Sequence, residues 1–148
     1  MKKTEVGDEI AAALGVLLRR STRTELYRTL TDGMGEALDE LTYPILSGLA
    51  RTGPRSAAHL APDVGLDRSG VTRRASRLEE AGLVRREPDP ADRRATLLAL
   101  TSEGERTVDI LRQRLSAHIE AGLASWPADE AKTFARHLQR FVTEGPFA

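Results

Sequence analysis

The chain contains no cysteine. That absence excludes disulfide frameworks, thiolate zinc sites, catalytic thiols and sulfur-based redox sensing. Long apolar runs are missing too: Ile10–Leu14 and Val16–Leu18 are the longest, against the ~18 to 20 residues of a membrane span. No signal-peptide pattern opens the chain, so a soluble, cytoplasmic protein without a membrane partner is expected. Catalytic signatures are absent as well. No glycine-rich phosphate loop follows a strand, and neither H-E-x-x-H nor G-x-S-x-G occurs. His59, His118 and His137 form no close metal-binding spacing. The expectation is a protein that is not an enzyme, with no cofactor, metal or catalytic residue.

Net charge is missing only on average. The whole chain is neutral, yet between Arg51 and Thr101 ten arginines face seven acids, a surplus of three that the flanks cancel. The positive charge in that middle third is all arginine, whose planar fork fits phosphates and guanine edges. With 148 residues, 40% of them hydrophobic, the chain can bury a core unaided, and one folding unit is expected.

Val6, Ile10, Leu14 and Leu17 recur at spacings of 4, 4 and 3, the stripe of an amphipathic helix expected over Thr4–Thr29. A second helix is expected from an N-cap at Thr42 through Pro44 to Arg51, and a third from a cap at Ser56 to Pro62. A fourth runs from a cap at Asp67 to Ala81, closed by Gly82. The period then changes: Leu83–Glu87 and Ala95–Leu100 read as strands, joined by the loop Pro88–Asp92. A long helix follows, with Val108, Leu111, Leu115, Ile119 and Leu123 spaced at 3, 4, 4 and 4, ending at Trp126 and Pro127. The last helix carries Phe134, Leu138, Phe141 and Val142. The fold class is mainly α with a small β-hairpin.

Around the fourth helix, at about 100° per residue, Val71, Ala75, Leu78 and Gly82 form the core side. Ser69, Arg73, Ser76, Arg77 and Glu80 lie opposite, with Gly70 and Arg74 on one shoulder and Thr72 on the other. Small residues permit close approach to a DNA major groove while arginines reach base edges or phosphate. The hairpin tip adds Asp92, Arg93 and Arg94, and an arginine on a protruding loop suits the minor groove. Short helix, recognition helix and arginine-tipped wing, in that order, point to double-stranded DNA as partner. A protein-contact winged helix or a non-specific architectural DNA binder is the alternative reading.

These stretches resemble the MarR family of bacterial transcriptional regulators, and nearly the whole chain takes part. The matching segments are LTYPILSGLA (Leu41–Ala50), DRSGVTRRASRLEEAGLVRR (Asp67–Arg86) and DRRATLLALTSEG (Asp92–Gly104). The last holds D-x-R, five residues, then L-T. The resemblance implies a winged helix-turn-helix on a homodimer, a single family domain in which residues 36–101 form the DNA-binding lobe and residues 1–35 and 102–148 supply dimerisation helices. The bottom-up pattern agrees, since the terminal apolar stripes lack an obvious partner within a small lobe. By the motif, Ser69, Gly70, Thr72, Arg73 and Arg77 meet the major groove. Arg93 and Arg94 serve the wing, either one entering the groove, with Asp92 orienting one of them by a salt bridge. Arg86 touches phosphate or braces the wing base. A repressor of a palindromic operator, released by a small anionic or phenolic ligand, is what the resemblance implies. Arg19, Arg20, Tyr27, Tyr43, His118 and Trp126 are the candidates for lining its cleft.

Overall fold

The structure, a computed structural model, describes residues 2–148, with side chains from residue 5; Met1, within the expected dimerisation segment 1–35, lies outside the described residues. The expected first helix is two helices, α1 (Lys2–Leu17) and α2 (Arg20–Thr31). Arg19 between them is extended, at φ −59° and ψ 136°. Gly15 weakens the last turn of α1. Beyond the break, Ser21 and Thr22 are residues whose hydroxyls compete for backbone groups and so favour helix starts over helix interiors. Apolar spacing alone did not register that interruption.

α3 (Tyr43–Thr52), α4 (Ala57–Val64) and α5 (Arg68–Glu80) follow. Ser56 and Asp67 cap α4 and α5, accepting the N–H of His59 and Gly70 at 3.2 and 2.7 Å. α4 carries on past Pro62 to Val64 and stops at Gly65, whose φ of +69° is left-handed. Thr42 stands at the N-cap of α3, as expected, but its side chain does not cap the helix: it is fully buried, and its Oγ1 donates to Ala37 O at 2.6 Å. The turn before α3 is held by Asp39, whose Oδ1 accepts the N–H groups of Leu41 and Thr42.

β2 (Val84–Pro88) and β3 (Thr96–Leu100) form the expected antiparallel hairpin, in register from Val84 opposite Leu100 to Pro88 opposite Thr96. A third strand, β1 (Arg55–Ser56), pairs with β3 and gives the order β1-β3-β2. Two residues are too few to show alternation, which is why the sequence does not announce it. The core lies between the sheet and α3 to α5: Ile45, Leu46, Leu49, Leu60, Val71, Leu78, Val84 and Leu98 are essentially inaccessible. Each such side chain contributes roughly 2 kcal/mol by burial.

α6 (Ser102–Gly122) and α7 (Ala128–Glu144) complete the chain. α6 ends at Gly122, short of Trp126. The chain divides into two compact units, 1–112 and 113–148. In the first, α6 buries Gly104, Thr107, Val108 and Leu111. In the second, Trp126 packs on Phe134 and Phe141 on Phe147, with ring centroids 5.4 and 5.9 Å apart. α7 buries none of its residues. Among the described residues, no helix is long and apolar enough to cross a membrane.

Candidate nucleic-acid interface

α5 turns Val71, Ala75 and Leu78 inward, as its spacing predicts, and leaves Ser69 and Arg73 exposed. Arg68, which the sequence reading passed over, is exposed in the first turn, directly after the Asp67 cap. Thr72 is half-buried, its hydroxyl donating to Arg68 O at 2.9 Å. Gly70 does not belong to the exposed face. It is buried, and a Cβ there would lie 2.9 Å from the capping Oδ1 of Asp67 and against Leu66. Its glycine identity serves the entry of the helix.

The arginines of the lobe fall into two groups. Arg68, Arg73, Arg93 and Arg94 are exposed, and among the described residues their side chains have no hydrogen bond or ion pair. The others are engaged. Arg77, expected in the groove, donates through Nη2 to Asp39 Oδ2 at 2.8 Å and to Glu36 O at 2.9 Å. Its neighbour Arg74 reaches Leu41 O at 3.3 Å. Arg86 pairs with Glu79 at 2.6 Å and donates to Ser76 Oγ at 3.1 Å. This contact ties the wing base to α5. Arg85 donates to Leu100 O and pairs with Glu87, Arg55 pairs with Asp63, and Arg51 donates to Ser47.

Partial burial works to raise the pKa of Asp39. The hydrogen bond and charge of Arg77, with the N–H groups of Leu41 and Thr42, outweigh it and hold the carboxyl below its ordinary value. Asp39 is therefore ionised at neutral pH.

At the wing tip, Ala95 N–H closes a turn onto Asp92 O at 3.0 Å, so Arg93 and Arg94 are its two central residues. Asp92 does not pair with either guanidinium. Its Oδ1 accepts the backbone N–H of Arg94 at 2.9 Å, because a short acidic side chain at the head of a turn reaches the amide two residues on more readily than a long arginine end. Asp89 does the same for Ala91. At the other end of the wing, the Thr101 hydroxyl donates to Gly82 O at 2.6 Å and accepts Gly104 N–H at 3.0 Å. The D-x-R and L-T positions thus shape the tip and the base of the wing.

A cleft of about 650 Å³ lies within the first unit, between α2, α3, the end of α4 and Arg74 of α5. Tyr27 and Tyr43 stack there with centroids 4.5 Å apart. Arg20, Arg23, Arg28, Arg51 and Arg74 line it, with Glu40, paired to Arg28, and Asp63 as the acids. Burial pushes the Tyr43 hydroxyl above its ordinary pKa; the Ser47 hydrogen bond and Arg51 oppose this, and Tyr27 adds to it. Of the expected cleft residues, Arg20, Tyr27 and Tyr43 come together here. Arg19 does not line it, because it occupies the break between α1 and α2. His118 and Trp126 belong to the second unit. Arg23, Arg28, Arg51 and Arg74 join the cleft unannounced, although Arg23 could have been found one turn from Tyr27 on α2.

A sequence profile of the MarR family matches residues 38–95. YxaD of Bacillus subtilis, an uncharacterized HTH-type transcriptional regulator, is 32% identical over 103 residues, 70% of this chain and 72% of YxaD. NicR of Pseudomonas putida, an HTH-type transcriptional repressor, is 26% identical over 134 residues, 90% of this chain and 85% of NicR. The PcaV transcriptional regulator of Streptomyces coelicolor, solved in complex with its natural ligand, aligns with a TM-score of 0.56 at 31% identity, covering 80% of this chain and 84% of PcaV. The profile spans the lobe from the turn before α3 to the wing tip, the part that carries all four unengaged arginines, and the chain belongs to the MarR family of winged helix-turn-helix, DNA-binding transcriptional regulators.

Proposed function

We propose that the chain is a homodimeric repressor that reads a palindromic operator and is released by a small anionic or phenolic ligand. The observation that carries the DNA reading is the division of the arginines. Those engaged in the lobe's own structure are anchored, and the four left without partners lie where a winged helix meets DNA, two on the first turns of α5 and two at the wing tip. Ser69, Thr72, Arg68 and Arg73 then face the major groove, while Arg93 and Arg94 reach the flanking backbone or minor groove. Arg74, Arg77 and Arg86 support the lobe.

Residues 1–35 and 102–148 supply the dimer. Exposed Val6 and Ile10 on α1, Ile119 on α6 and Phe134, Leu138 and Val142 on α7 support this, since so much apolar surface calls for cover. Repression follows the likeness to NicR. The ligand follows the arginine-rich cleft with its stacked tyrosines, whose volume suits a small organic acid, and the likeness to PcaV, which was solved with a ligand.

The test is anisotropy with the duplex flanking the protein's own gene and a scrambled control, across a salt series and then with a hydroxybenzoate. A specificity ratio above ~10³, lost as the acid is added, is the expected outcome. Equal affinity for both duplexes would instead identify an architectural binder.

A further inference from the structure

Resting on the DNA-binding reading above, we infer that Arg77 is a positioning residue: clamped to the 36–42 segment, it sets the pose of the recognition helix α5 and reads no base. Arg73 and Arg77 lie four residues apart, on one face of α5, so spacing alone gives them the same task. Their surroundings differ. Arg73 is without a partner, whereas the guanidinium of Arg77 bridges Asp39 Oδ2 and the main-chain oxygen of Glu36.

The segment it grips is itself fixed. Asp39 Oδ1 takes the N–H groups of Leu41 and Thr42, and the Thr42 hydroxyl accepts Asp39 N–H at 3.1 Å while donating to Ala37 O at 2.6 Å. Leu38 and Thr42 anchor this block in the core, at 6% and 0% exposure. Arg74 adds a second hold on the same segment, at Leu41 O. Two successive arginines of α5 are therefore fastened across the chain to one rigid loop. One guanidinium nitrogen, Nη2, donating to two oxygens is a geometric constraint as well as an attraction. For Arg77 to contact a base it would have to leave Asp39, stranding a carboxylate beside polyanionic DNA.

Asp39 separates the two roles because they predict opposite signs. If Asp39 is only an acid near the interface, removing it reduces repulsion and strengthens DNA binding. If it clamps α5, removing it weakens specific binding. The experiment is a double-mutant cycle of Arg77→Ala and Asp39→Ala, with Asp39→Asn as the near-isosteric variant should the alanine form fail to fold, read by specific affinity and its salt slope. Each single variant is expected to lose about 5- to 10-fold in operator affinity, the double variant no more than either single, and the slope of log K on log salt to stay unchanged. The inference is overturned if the Asp39 variants bind as well as the unsubstituted protein or better. It is equally overturned if Arg77→Ala lowers the slope by ~0.9, the signature of a lost phosphate contact. Should the unsubstituted protein prefer no operator, the DNA-binding reading fails by itself. Hydrogen exchange then decides the clamp: at least ten-fold faster exchange of the Leu41 and Thr42 amides in Arg77→Ala supports it, and unchanged exchange overturns it.

Discussion

α5 and α7 are both amphipathic helices, and they differ in what becomes of the apolar side. α5 has buried its apolar stripe, Val71, Ala75 and Leu78, in the lobe's core and presents Arg68, Ser69 and Arg73. α7 has no buried residue and presents Phe134, Leu138 and Val142 at 43 to 55% exposure. A helix whose apolar face is already covered offers a polyanion something to bind. One whose apolar face is bare calls for another apolar surface, and exposed stripes of that kind mark interfaces more often than they persist in solution. The proposed function gives the two helices two kinds of partner, and each part of that proposal can be broken separately.

The largest effect is expected from α7. Leu138→Asp places a carboxylate in the middle of its apolar stripe, where burial against a second copy would strand the charge. Self-association should weaken by on the order of 100-fold or more, about 3 kcal/mol, while the lobe keeps its fold. Sedimentation velocity over a concentration series reads this directly, and a variant as dimeric as the parent would move the interface off α7. Next comes α5. Arg73→Ala should cost ~1 to 3 kcal/mol of operator affinity and relax base choice at one position if its fork meets a guanine. A binding-site selection that returns the parental preference would remove Arg73 from the readout.

The sequence made the scaffold of this contrast legible and hid the use of its arginines. Caps at Ser56 and Asp67, the inward stripe of α5 and the two strands of the hairpin are local features, set within a few residues, and they stand in the structure within a residue of where the pattern predicts them. β1 stayed hidden because it is two residues long, and the break at Arg19 because an apolar stripe can run across two helices. The arginines are a harder case. Arg73 and Arg77 are indistinguishable by period, and what separates them is Asp39, 38 residues earlier in the chain, meeting one and not the other. Gly70 was read as a small groove-facing residue, yet its lack of a side chain answers to the Asp67 cap beneath it. A helical projection supplies the direction of a side chain and omits what comes to meet it.

The smallest effect sharpens the inner side of the comparison. The carboxyl of Asp39 lies below its ordinary pKa in the folded chain, so it binds its proton less readily there than in the unfolded chain. Its contribution to stability is therefore full above the unfolded value of ~3.9 and lost as pH falls through the lower folded value. With Arg77 and Asp39 side chains 39% and 31% exposed, solvent screening holds the gain to about 1 kcal/mol or less. Asp39→Asn should thus melt below the parent at pH 7, and the gap should close in the acid limb, below about pH 4. The exposed pair on α7, Arg140 with Glu144 at 3.2 Å, is the control. Both partners lie on one helix four residues apart, so removing Glu144 leaves the tertiary structure untouched and should shift stability by no more than ~0.5 kcal/mol. A gap for Asp39→Asn that fails to close in acid would mean that the substitution acts through the turn before α3 and not through the charge it shares with α5.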